Sequence, residues 1–272
     1  MTFWAKWICA AVVAGACVAS EAQAGVGDLL VAPTRIVLDG RRGTEIILNN
    51  IGEQPATYRI SIEFRRMKPD GMLAEVTEPS PREKAAADMV VYAPRRVTLP
   101  PNQPQAIRIA ARAPQGLPDG EYRIHMLFRA VPQPTPVAPA SGEKTKGVQL
   151  QLIPIYGVTI PVIVRLGNLQ AKAGIANVQL ETKDGAPAIG LDLSRSGTRS
   201  TFGDVRVFKA GVKDPIAIAK GVAVYTDVGQ RHVTIPLDEK YEGAAAGPVT
   251  VQYVETYDDG SDTIAETRAV LR

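Results

Sequence analysis

The chain reads as an all-β protein made of two tandem β-sandwich domains, and three observations predict it. Short segments in which apolar and polar residues alternate with period two recur along most of the sequence, with turn residues about every ten positions. No stretch carries a convincing helical period; Ser80–Ala87 offers a turn or two. One segment, Gly147–Arg165, alternates far beyond the others and separates an earlier set of strands from a later one.

The earlier set begins with Leu29–Leu38 and Thr44–Asn49, which flank the turn Asp39–Gly43. Tyr58, Ile60, Ile62 and Phe64 alternate with Arg59, Ser61, Glu63 and Arg65, the pattern of a half-buried strand. Pro69-Asp70-Gly71 is turn chemistry. Met89–Tyr92, Arg96–Leu99 and Ala106–Ala111 follow, then Tyr122–Phe128, whose Tyr122, Ile124, Met126 and Phe128 share one face and leave His125 on the polar face. About seven short strands in this spacing predict an immunoglobulin-like sandwich.

Val131–Gly147 is rich in Pro, Ala and polar residues and cannot bury enough surface to order itself, so it predicts a flexible linker. In the strand after it, Val148, Leu150, Leu152, Tyr156, Val158, Ile160, Val162 and Val164 fall on one parity. Typical strands run roughly 5–6 residues, so this apolar row must bury against more than its own sheet. It belongs either to an ordinary core or to a surface offered to a second protein, and Pro154, Gly157 and Pro161 favour a sheet edge. Leu166-Gly167-Asn168 reads as a hinge, placing one domain at 25–165 and another at 166–272. The second domain's strands are Ala176–Glu181, Ala188–Leu193, Phe202–Phe208, Ile216–Ala219, Val222–Thr226, Val233–Leu237, Val249–Tyr257 and Thr263–Leu271.

Residues 1–24 read as a secretory signal peptide: Lys6 precedes the apolar run Trp7–Ala19, and Ala22-Gln23-Ala24 supplies a cleavage site. Both cysteines, Cys9 and Cys17, lie within it, so the mature chain enters an oxidising compartment without disulfides. No later segment has the roughly 20 apolar residues of a membrane span, so no membrane insertion is expected. The formal net charge of +3, dispersed along the chain, argues against a nucleic-acid partner. His125 and His232 are the only histidines, and neither lies in a nucleophile or metal-ligand motif. The acidic stretch Tyr257–Asp262 reads as a solvated hairpin turn. The expectation is therefore no enzyme, no metal and no cofactor.

Four places resemble the periplasmic chaperones of the chaperone–usher pilus pathway. They are Ala32–Leu38, with its Thr34-Arg35 pair; Tyr92–Pro101 followed by Ile107-Arg108-Ile109; Gly120-Glu121-Tyr122-Arg123; and the long strand ending at Arg165. The resemblance covers essentially the whole mature chain. The resemblance implies two immunoglobulin-like domains set at an angle. Such a protein, located in the periplasm, lends a β-strand to pilus or fimbrial subunits and delivers them to an outer-membrane usher. It implies subunit contacts at Val148, Leu150, Leu152, Pro154 and Tyr156, with Arg35 gripping the subunit's C-terminal carboxylate. The family's partner lysine is absent: counting from the apolar row puts Thr159 in its place, and counting back from Arg165 puts Pro161 there. An interdomain salt bridge is implied for Glu121 and Arg165 with a second-domain acid, Glu255 or Asp258. The free protein has the option of self-association through the donor strand. The alternative is a secreted structural or adhesive protein, a pilus subunit or adhesin with tandem immunoglobulin-like domains. A subunit would carry its own donor segment near the mature N-terminus, where only Gly25–Asp28 precede the first strand.

Overall fold

The computed structural model describes residues 28–132, 155–257 and 260–272. The signal peptide assignment, most of the linker, Val148, Leu150, Leu152 and Pro154 of the donor row, and Asp258 lie outside the described residues.

The first domain comprises β1 (Leu29–Ala32), β2 (Ile36–Leu38), β3 (Thr44–Asn50), β4 (Ala56–Glu63), the hairpin β5 (Arg65–Met67) and β6 (Leu73–Glu75), helix α1 (Pro81–Met89), β7 (Val90–Ala93), β8 (Arg96–Leu99), β9 (Pro104–Ala111), β10 (Gly120–Val131) and β11 (Gly157–Leu166). One sheet has the order β1-β3-β9-β7 and the facing sheet β2-β11-β10-β4-β8. Inward residues of both close one core, including Ile46, Leu48, Tyr58, Ile107, Ile124, Met126, Phe128, Ile160 and Val162. This is the sandwich the alternation predicts, because a strand's period of two commits one row to the interior.

Three elements differ from expectation. Leu29–Leu38 is two strands, since the chain changes sheets at Pro33–Arg35 and closes an edge of each. Proline has no N–H to continue a ladder, so the break falls there. Pro81–Ala87 lies in a helix that runs on to Met89, started by a capping box on Ser80: Glu83 N donates to Ser80 Oγ (3.3 Å) and Ser80 N to Glu83 Oε2 (2.7 Å). Ala86 and Met89 then bury in the first core. Val131, assigned to the linker, is the last residue of β10.

The second domain comprises β12 (Ala171–Lys183), β13 (Ala186–Gly197), β14 (Thr201–Lys209), β15 (Ala217–Val224), β16 (Gln230–Pro236), β17 (Gly247–Tyr257) and β18 (Gly260–Leu271), in sheets β12-β13-β16 and β15-β14-β17-β18. Ile216–Ala219 and Val222–Thr226 merge into β15, whose pairing shifts register opposite Gly203–Val205. A separate core holds Ile189, Leu191, Val205, Val207, Val251 and Tyr253.

A third apolar cluster joins the domains: Met67 and Ile163 from the first, Ala223 and Tyr225 from the second, with Phe202 packed against it. The β5–β6 hairpin reaches the second domain, where Met67 N donates to Asp227 Oδ2 (2.8 Å) and His232 N donates to Pro69 O (2.9 Å).

Candidate functional site

β11 sits between β10 and β2 but is unequally covered. β10 pairs with it from Gly157 to Leu166, whereas β2 pairs only with Val162–Val164. Among the described residues, the outer edge of Gly157–Pro161 has no partner strand. The apolar row also leaves the domain's own core at this end. Val164 and Val162 are fully buried and Ile160 nearly so, Val158 is partly buried, and Tyr156 is 54% exposed. Tyr156 is outside the regular strand, although its carbonyl still accepts from Ala130 N at 2.9 Å. An unpaired edge with an emerging apolar row is the geometry that strand addition requires.

Arg35 lies at the sheet switch beside this edge, next to β2. Its guanidinium stacks on Phe202 of the second domain, 4.5 Å from the ring centroid. Its Nε and Nη2, the two donors of a side-on fork, are buried and have no hydrogen-bond partner. Burial, then the nearby Arg165 charge, lowers its pKa.

Thr159 does not stand in for a cation. Its hydroxyl donates to Glu63 Oε1 (2.8 Å), and Glu63 also pairs with Arg65 (2.6 Å). Pro161, the other position in question, lies opposite His125 in the β10–β11 ladder. His125 itself corrects the sequence reading: at this position the face called polar turns toward the second domain, and His125 is fully buried. It meets Tyr225 edge-on at 6.4 Å, and neither ring nitrogen has a partner. Burial, reinforced by the charges of Arg123 and Arg65, lowers its pKa to about 3, so the ring is neutral.

Glu121 and Arg165 are cross-strand neighbours of the first domain, Arg165 Nε donating to Glu121 Oε2 at 3.0 Å. The link to the second domain runs through Ser200, whose N–H and hydroxyl donate to the same carboxylate oxygen at 3.0 and 2.9 Å. Glu255 does not supply the expected acid, because its carboxylate is held bidentately by Arg199 at 2.9 Å and by the Tyr257 hydroxyl at 2.7 Å.

Sequence reasoning missed Arg123, Ser200, Phe202, Tyr225 and Asp227. Arg123 stacks on Tyr225 at 3.9 Å and pairs with Asp227. Its parity with Glu121 was a usable signal. Nothing local marks the other four, which matter only because two domains meet.

No family model matches the chain, and no curated protein matches it. Solved pilus-assembly chaperones are similar to it over most of its length. The YadV chaperone is 16% identical, over 90% of this chain and 100% of that one, at a TM-score of 0.46. The CsuC–CsuE chaperone–tip adhesion subunit pre-assembly complex from archaic chaperone-usher Csu pili of Acinetobacter baumannii aligns at 11% identity, over 89% of this chain and 97% of that one, with a TM-score of 0.44. The Salmonella enterica SafA pilin–SafB chaperone complex aligns at 17% identity, over 90% and 97%, with a TM-score of 0.42. Likeness at this level assigns no role to any side chain.

Proposed function

We propose that this protein is a periplasmic chaperone that holds pilus or fimbrial subunits by lending them a β-strand and passes them to an outer-membrane usher. The observation that carries this reading is the open edge of β11 from Gly157 to Pro161, where the apolar row runs out of its own core at Val158 and Tyr156. A subunit strand added at that edge gains main-chain hydrogen bonds from β11. Val148, Leu150 and Leu152, with Pro154 and Tyr156, then continue the row into the subunit. Each fully buried aliphatic side chain contributes about 1.5–3 kcal/mol. Arg35 receives the subunit's C-terminal carboxylate on its vacant fork, without the family's lysine. Strand donation needs no catalysis, nucleotide or metal.

The test is capture of a client secreted into the same periplasm, with the bound polypeptide identified by mass spectrometry. Replacing Leu150 and Leu152 together by Asp is expected to abolish co-purification while the chaperone keeps its melting temperature. Arg35→Ala is expected to weaken capture about tenfold or more, the scale of a lost charge-assisted hydrogen bond. Retained capture by the double Asp variant rejects strand donation through this segment. Retained capture by Arg35→Ala rejects the carboxylate anchor alone.

A further inference from the structure

The five-stranded sheet of the first domain carries an unneutralised row of arginines on its outer face. The ladders set Arg96 of β8 opposite Arg59 of β4, and Arg59 opposite Arg129 of β10. All three side chains are exposed. Neighbouring strands lie roughly 4.8 Å apart, so the central charge has a like charge on either side, an arrangement that destabilises a sheet. Among the described residues, none of the three side chains has an ion-pair or hydrogen-bond partner. Among the described residues, the same face offers no counter-charge nearby. Thr98, Thr57 and Val131 lie beyond the row on one side, and Ser61 and Leu127 on the other. The next acid along β4 on that face, Glu63, is already bonded to Arg65 and Thr159.

The row continues onto β11 at Gly157, which pairs with Arg129. Gly157 has no side chain, and it begins the edge that lacks a partner strand. The uncompensated charge and the open edge are therefore one continuous surface. We propose that this surface docks an acidic segment of the client polypeptide, its carboxylates received by Arg129, Arg59 and Arg96 while its strand pairs with β11. The identity of the occupant as a client rests on the reading of β11 as the docking edge. The row is a single line among neutral residues, and the whole chain has a formal net charge of only +3. That suits a local acidic patch on a protein better than the broad field of a membrane or a nucleic acid.

The experiment is fluorescence anisotropy at low and high salt with a labelled decapeptide of alternating glutamate and threonine. Wild-type protein is expected to bind it with an affinity that falls as salt rises. The triple variant Arg59→Gln, Arg96→Gln, Arg129→Gln is expected to bind about tenfold or more weakly, and the corresponding triple Lys variant to stay within about threefold of wild type. Circular dichroism and melting temperature check that the exposed substitutions leave the fold intact. Client capture is read on the Leu150→Asp, Leu152→Asp variant and this titration on the triple Gln variant, so the two ideas fail separately. Equal peptide binding by wild type and the triple Gln variant overturns the proposal. So does tighter arginine-dependent binding of phosphatidylglycerol vesicles or of a single-stranded oligonucleotide.

Discussion

The two histidines respond to pH in opposite senses, for reasons visible around each ring. His125 is buried with no partner on either nitrogen, and its pKa falls from 6.5 to about 3. Between those values the unfolded chain binds the proton and the folded chain does not. Its contribution is therefore intact above about pH 6.5 and is lost as pH falls toward 3. Near pH 4 the loss is on the order of 3 kcal/mol. His125→Phe, which leaves no polar atom unpaired, is expected to match or exceed wild-type stability at pH 7. It is also expected to flatten the acid limb of stability measured by urea unfolding; an unchanged acid limb refutes the assignment. His232 is bracketed by Asp192 on Nδ1 (2.8 Å) and Glu181 on Nε2 (3.1 Å), so only the imidazolium satisfies both contacts. Hydrogen bonding to Asp192 leads the causes that raise its pKa. Its contribution is present below pH 6.5 and fades as pH rises through that raised value.

Helix α1 shows how a short element is held by its first turn. Glu83 closes the capping box with Ser80 and also binds Arg66 of the hairpin through two hydrogen bonds, at 2.8 and 2.5 Å. The Arg66 guanidinium accordingly holds the Glu83 carboxyl at about 2. Ser80→Ala is expected to cost about 1 kcal/mol, read as a lower urea midpoint at unchanged slope. An unaltered midpoint means that the Arg66 contact alone orients the helix. The weak amphipathic period hid the helix, so the sequence offered only a turn or two at Ser80–Ala87. The strands were legible through their alternation, down to the core-facing rows of β4 and β10. Where a strand changes sheets, as at Pro33–Arg35, the alternation does not show which ladder each half joins.

The two domains are coupled by a buried carboxylate as well as by apolar packing. The Glu121 side chain is 0% exposed and accepts from Arg165 and twice from Ser200. Arg165→Ala leaves that charge buried with only the neutral donors of Ser200. The expected cost is about 2 kcal/mol, below the full cost of an abandoned buried charge. Looser coupling of the domains is expected to appear as a larger radius of gyration in small-angle X-ray scattering. An unchanged scattering curve together with unchanged stability means that the Met67–Ile163–Tyr225 cluster suffices. The stacking of Arg35 depends on this coupling, because the ring beneath it, Phe202, belongs to the other domain.

By itself the amino-acid order determined the all-β class, the division into two sandwiches and the shared inward face of Ile160, Val162 and Val164, because strand periodicity is local and needs no partner to be read. Arg35 and the Glu121–Arg165 pair were legible only through resemblance. Tertiary structure alone decided that Glu121, Arg123 and His125 of β10 face the second domain, that Thr159 answers to Glu63, that Ser200 rather than Glu255 bridges to Glu121, and that three arginines from separate strands stand in one row. Those outcomes depend on which strands become neighbours, a property of register and domain contact that residues far apart in the chain acquire only on folding.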